Sequence, residues 1–90
     1  MNTSYQQNIA YRLRKIGNQN ILVGENQYYE LNEVANEIWF FLEQKRTIDE
    51  VINYINKEFN VDKKTLNNDI HLFIEEMIKN NTIKVEYDEC

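Results

Sequence analysis

Ninety residues, 42% of them hydrophobic and 12% aromatic, suffice for one compact core and are too apolar for a disordered tail. The net charge of −5 is uneven: Arg12, Arg14 and Lys15 against Glu25 and Glu30 leave residues 1–31 at +1, so residues 32–90 stand at −6. An acidic body is a poor match for phosphate backbones, and no apolar run approaches the roughly 18 residues of a membrane span. The polar start, Met1 to Asn8, has no apolar segment of a signal peptide, and the one cysteine, Cys90, has no partner for a disulfide. A cytoplasmic protein is expected.

In chain order, residues 1–8 read as a flexible end. Ile9 to Ile16 alternates, with Ile9, Tyr11 and Leu13 on one side and Ala10, Arg12 and Arg14 on the other, which predicts a strand. Gly17-Asn18-Gln19-Asn20 is a turn, Ile21-Leu22-Val23 a second strand, Gly24 to Gln27 another turn, and Tyr28-Tyr29-Glu30-Leu31 a third strand. Three short strands joined by tight turns form an antiparallel meander that needs a helical layer over one face.

The period then changes. Asn32 is an N-cap for a helix with Ala35, Ile38, Trp39 and Leu42 at helical spacing. A large aromatic such as Trp39 on a helix face is usually core, while the adjacent Phe40 and Phe41 cannot both share that face. Thr47 and Glu50, three apart, form a capping box for a second helix with an apolar face of Val51, Ile52, Ile55 and Phe59. Asp62 caps a third and longest helix, running to about Asn80, with Leu66, Ile70, Phe73, Ile74, Met77 and Ile78 inward. Asn80-Asn81 stops it, and residues 82–85 read as a short terminal strand before a flexible end over 86–90. The fold class is therefore α+β: a three-stranded antiparallel N-terminal sheet, three helices and a short C-terminal strand, resembling a winged helix-turn-helix. The whole of 1–90 reads as one domain.

Catalytic chemistry is missing from this pattern. His71 is the single histidine and lies off the main apolar face of its helix, so neither a Cys–His nor a Ser–His–Asp set can be assembled. One thiol and one imidazole are too few for a zinc site, and neither glycine opens a phosphate-binding loop. Adjacent carboxylates such as Glu75 and Glu76 point in different directions from a helix. No catalytic residue, metal or cofactor is expected.

Binding is better served. A strand at a sheet edge offers unpaired N–H and C=O groups, which proteins usually blunt with charge, Pro or a bulge. The third strand has two tyrosines, one charge and no Pro; its composition fits an ordinary structural strand and would also suit an incoming peptide. Advancing about 100° per residue along the third helix, Asp69, Leu72, Phe73 and Glu76 form a mixed apolar and acidic stripe on the flank of the core face. Beside an open strand edge, that stripe would make one wall of a groove.

Residues Leu31 to Trp39, then Arg46 to Val51, then Phe59-Asn60-Val61-Asp62 leading to Asn68-Asp69-Ile70 and Phe73-Ile74, resemble the PqqD-like family. The resemblance covers about residues 9–85. It rests on the ordered spacing of a Leu-Asn strand-to-helix junction, an Ile-Trp pair, a Thr-led second helix and a Phe-containing third helix. Where the family often has a Gly after the first helix, Gln44 stands here. The resemblance implies a non-enzymatic recognition element for ribosomally made, modified peptides, which binds a precursor's leader as an added antiparallel strand and presents the core to modifying enzymes. Carried onto this chain, the implied contacts are Tyr28, Tyr29, Glu30 and Leu31 on the strand and Asp69, Leu72, Phe73 and Glu76 on the helix. The implied partners are the leader peptide and a modifying enzyme: a lasso-type leader peptidase or cyclase first, a radical-SAM enzyme second.

Two other functions fit the same elements. A winged-helix DNA binder would use residues 62–80 as recognition helix, but Lys63, Lys64 and Lys79 there face Asp62, Asp69, Glu75 and Glu76, and no Arg is available to read guanine. An acidic subunit that docks another protein without a peptide groove is the other.

Overall fold

The computed structural model describes residues 2–88. Its elements are β1 (Asn2–Gln7), β2 (Arg12–Ile16), β3 (Gln19–Val23), β4 (Tyr28–Leu31), α1 (Glu33–Phe41), α2 (Ile48–Phe59), α3 (Lys63–Lys79) and β5 (Ile83–Asp88). The meander is as expected: β2, β3 and β4 form an antiparallel sheet in that order, with Leu13 opposite Leu22 and Leu22 opposite Tyr29. Alternation sends Leu13, Leu22, Tyr29 and Leu31 inward and Arg12, Arg14, Ile21, Val23, Tyr28 and Glu30 outward.

Each helix starts at the cap its sequence signals. Asn32 accepts from Ala35 N at 2.8 Å. Thr47 and Glu50 exchange both bonds of the capping box, at 3.2 and 2.9 Å, and Asp62 accepts from Thr65 N at 3.3 Å. The inner stripes of the helices meet over the sheet in one core containing Leu22, Leu31, Ile38, Trp39, Leu42, Val51, Ile55, Leu66, Ile70, Ile74 and Met77. Trp39 is core, and of its neighbours Phe40 is exposed while Phe41 stacks on Tyr54 with ring centroids 4.2 Å apart. Arg46 lies 4.3 Å from the centre of the Phe41 ring, a cation–π contact. The helix end before Gln44 needs no left-handed residue: Leu42 N bonds to Ile38 O and Trp39 O, and Glu43 N to Phe40 O, tightening the last turn instead.

The two ends of the chain correct the sequence reading. Residues 1–8 and 86–90 were expected to be flexible, yet Asn2–Gln7 and Ile83–Asp88 pair antiparallel along their whole length. β1 is a largely polar strand held by main-chain bonds, with half-buried Tyr5 packed against the core. Its second edge bonds to Arg46, through Tyr5 N to Arg46 O at 2.8 Å and Arg46 N to Tyr5 O at 3.0 Å. Gln6 and Gln7 side-chain amides donate to the Glu43 and Trp39 carbonyls at 3.1 and 2.8 Å, satisfying acceptors at the end of α1. Lys45 pairs with Glu86 of β5. The strand expected from Ile9 begins only at Arg12, because Asn8 makes a turn: its side chain accepts from Ala10 N and its carbonyl from Tyr11 N, both at 3.0 Å. Ile9 is left 89% exposed at the tip. Cys90, expected in a fraying tail, lies outside the described residues. Among the described residues no helix is long and apolar enough to cross a membrane.

Candidate functional site

In the three-stranded sheet, β2 and β4 are the edges. The β2 edge carries Arg12, Arg14 and Lys15, charges that discourage strand addition. The β4 edge carries Tyr28, Tyr29, Glu30 and Leu31, and among the described residues no strand pairs with its outer side.

Two features lie between this edge and α3. At the end of β4, Asn32 lines a cleft of about 370 Å³ with Val34, Ile38, Val61, Leu66, Asp69 and Phe73. At its start, Tyr29 donates to Gln27 Oε1 at 2.8 Å, and the Tyr11 hydroxyl approaches the same Gln27 oxygen at 3.1 Å and the Asn80 carbonyl at 3.3 Å. The Tyr11 and Tyr29 rings lie 6.4 Å apart. The start of β4 is thus linked to the end of α3, Tyr29 through Gln27 and Tyr11 to Asn80, while at its other end Asn32 faces Asp69 and Phe73 across the cleft. Gly24 makes room for this link, since a Cβ there would stand 2.5 Å from Tyr11 Cε1.

The cleft has an apolar floor and a polar rim. Ala35, Ile38, Leu66 and Ile70 are buried within it, Val34, Val61 and Phe73 are half-buried, and Asn32 and Asp69 are exposed at its mouth. Such a lining favours an apolar side chain and leaves one carboxylate at the entrance to meet a cation or an N–H donor.

The eight residues singled out from the sequence fall into distinct groups. Asp69 and Phe73 line the cleft. Leu72, 58% exposed, and Glu76 line a separate hollow of about 400 Å³ with Glu75, Lys79 and Asn80. Tyr29 is half-buried and faces inward, whereas Tyr28 and Glu30 are exposed on the outer face of the sheet. Leu31 is in the core, so only its main chain is available at the edge. Sequence reasoning missed Val34, Val61 and the Tyr11–Gln27–Asn80 link. Val34 and Val61 were legible as apolar residues outside the helical core stripes; the link depends on a tertiary contact that no local pattern shows. Among the described residues no cluster of three or more His, Cys, Asp or Glu could hold a metal ion, and His71 is exposed.

Comparison with known proteins adds the family. The sequence model of the family described as coenzyme PQQ synthesis protein D (PqqD) matches residues 19–83. A search of curated proteins found no match. Two solved structures share the fold at a TM-score of 0.75 each. One, of TbiB1 in complex with the TbiA(beta) leader peptide, is 22% identical, the match covering 93% of this chain and 99% of that one. The other is the solution NMR structure of the PqqD truncation of Methylobacterium extorquens PqqCD, described as a functional and stand-alone recognition element for ribosomally synthesised and post-translationally modified peptides. It is 13% identical, over 90% of this chain and 88% of that one.

Proposed function

We propose that this chain, which belongs to the PqqD family, binds the leader segment of a ribosomally made precursor peptide and presents the rest of that peptide to modifying enzymes, without catalysing a reaction itself. The observation that carries this reading is the unpaired β4 edge running beside the α3 flank, with an apolar cleft at one end. The family match and the likeness to a leader-bound TbiB1 support it.

The leader adds as an antiparallel strand on β4. Its main chain bonds to the edge whatever its sequence, and side chains that turn toward α3 choose the partner. About four net hydrogen bonds at about 1 kcal/mol each fall short of the roughly 8 kcal/mol that micromolar binding needs. Burying one large apolar side chain contributes about 1.5–3 kcal/mol, so two anchors are required, one of them in the Val34–Val61–Phe73 cleft. Asp69 at its mouth selects a neighbouring cation or donor. The enzymes served are a lasso-type leader peptidase and cyclase first, a radical-SAM enzyme second. The DNA-binding alternative finds no basic face on α3, where Lys63, Lys64 and Lys79 are matched by Asp69, Glu75 and Glu76.

Titrating the leader of the precursor encoded beside this chain, while following backbone amide resonances, tests the reading. Shifts should concentrate at residues 28–32 and 66–76. A leader that perturbs neither region rules it out.

A further inference from the structure

The outer face of the three-stranded sheet is a second surface left uncovered. Ile16 is 59% exposed and Tyr28 76%, and with Ile21 and Val23 they line a shallow hollow of about 370 Å³. Outward β-branched residues in a sheet normally meet a second layer; here none of the described elements supplies one. Cations flank this apolar strip on the β2 side, with Arg12 opposite Val23 and Arg14 opposite Ile21. On the other side Glu30 stands opposite Ile21 and Tyr28 opposite Val23. The face is apolar at its centre and basic along one rim, in a chain whose remaining charge is strongly acidic.

Its place in the fold gives it a use. A peptide antiparallel to β4 enters at the Leu31 end and leaves at the Tyr28 end, beside the row Arg12–Val23–Tyr28. Whatever acts on the peptide beyond its leader must sit there. Size points the same way: three strands about 4.8 Å apart and five residues long at about 3.4 Å each present roughly 200 Å². A stable free-standing interface needs about 800 Å² per partner, so this face alone is too small to hold a second copy of the chain. It is large enough to add to a contact that the bound peptide already makes.

We propose that the outer sheet face, apolar at Ile16, Ile21 and Val23 and basic at Arg12 and Arg14, docks the enzyme that processes the bound peptide, through an apolar surface with an acidic rim on that enzyme. The direction of peptide exit rests on the leader-binding reading; the face itself does not.

The test uses the full chain, its Ile16→Asp and Arg14→Glu variants, and two probes: the labelled leader peptide, and the purified leader peptidase, cyclase or radical-SAM enzyme, titrated with the precursor peptide present. Neither substitution touches the leader groove, so leader affinity should stay within about twofold, while enzyme affinity falls about tenfold or more in each variant. Wild-type loss of affinity on raising salt should shrink in Arg14→Glu. Matching denaturation midpoints show that the variants are folded. Enzyme affinity unchanged in both variants overturns the proposal, as does failure of every such enzyme to bind the wild type. Failure of the leader to bind the wild type overturns the leader-binding reading and the docking proposal with it, whereas leader binding with enzyme affinity unchanged in both variants overturns the docking proposal alone. Two further outcomes overturn the docking proposal in favour of another occupant: binding to phosphatidylcholine–phosphatidylserine vesicles that the substitutions abolish, or a dimer in sedimentation equilibrium that they disperse.

Discussion

Replacing Gly24 with alanine places a methyl carbon 2.5 Å from Cε1 and 2.9 Å from Cζ of Tyr11. Non-bonded carbons pack at about 3.5–4.0 Å, so the ring must swing away. In doing so its hydroxyl gives up the one hydrogen bond it shares between Gln27 Oε1 and the Asn80 carbonyl. One such bond at about 1 kcal/mol, plus part of the burial of a half-buried ring, sets the loss at about 1.5–2.5 kcal/mol. That cost has a ceiling, because it falls on Tyr11: once Tyr11→Ala has removed the ring, the methyl's three nearest neighbours are gone and Gly24→Ala should add little. A chain of this length is stable by about 5–13 kcal/mol, so all three variants should fold. Urea midpoints at constant slope read the four corners of the cycle, with an expected coupling of about 2 kcal/mol between the two sites. Leader affinity should fall in either single variant, since both release the end of β4 from α3. Costs that add to within about 0.5 kcal/mol would refute the claim that Gly24 exists to seat Tyr11.

Thr47→Ala removes one half of the capping box and should cost about 1 kcal/mol, lowering Tm by about 4–8 °C in a thermal melt. Phe73→Ala strips one wall from the cleft and should weaken leader binding about tenfold or more, whereas Leu72→Ala, outside the cleft, should change it by less than about threefold; fluorescence polarisation with equal losses at both positions would show that the anchor is not in the cleft. Burial first, then the Glu37 and Glu58 carboxylates, raise the Tyr54 hydroxyl pKa above its ordinary 10.0. A raised acid favours its neutral form in the fold, so this contribution is intact below pH 10 and is lost as pH climbs through the raised value. Denaturation midpoints taken upward from pH 9 should fall less in Tyr54→Phe than in the wild type.

What was legible in the sequence follows from what is local. Caps are decided within four residues, and Asn32, Thr47 with Glu50, and Asp62 each begin a helix at the expected place. Period decides faces, so Ile38, Val51, Ile55, Ile70 and Ile74 were recognisable as core, whereas Ile21-Leu22-Val23 is a continuous apolar run that does not show which residue turns inward. Period also overreached: Ile9 fits an alternating strand, but the Asn8 side chain offers Ala10 N a bond that diverts the chain into a turn. β1 was invisible because Asn2 to Gln7 has neither apolar alternation nor turn punctuation, and its stability comes from pairing with a strand more than seventy residues away. The site divides along the same line. Asp69 and Phe73 could be placed on a helix flank by angle alone, but that Leu31 turns its side chain into the core, and that Leu72 opens on another hollow, required the packed helices and sheet.

The pairing of the two chain ends has the largest consequence for the binding edge. β5 leaves α3 close to the three-stranded sheet, and a terminal strand there could have completed that sheet by covering β4. It is taken elsewhere. Asn81 adopts a left-handed conformation with φ of 63°, and Thr82 holds the turn by bonding through its hydroxyl to Met77 O at 3.0 Å. Asn8 then receives the departing chain, its side chain donating to Asn81 O at 2.6 Å and its N–H to Thr82 O at 3.0 Å. From there β5 runs antiparallel to β1, whose other edge is already bonded to Arg46 and Leu42. The second edge of β1 is thus committed within the chain, and the β4 edge is left open. A largely polar N-terminal strand is suited to this role, because it binds the terminal strand through main-chain bonds and sets one aromatic side chain, Tyr5, against the core.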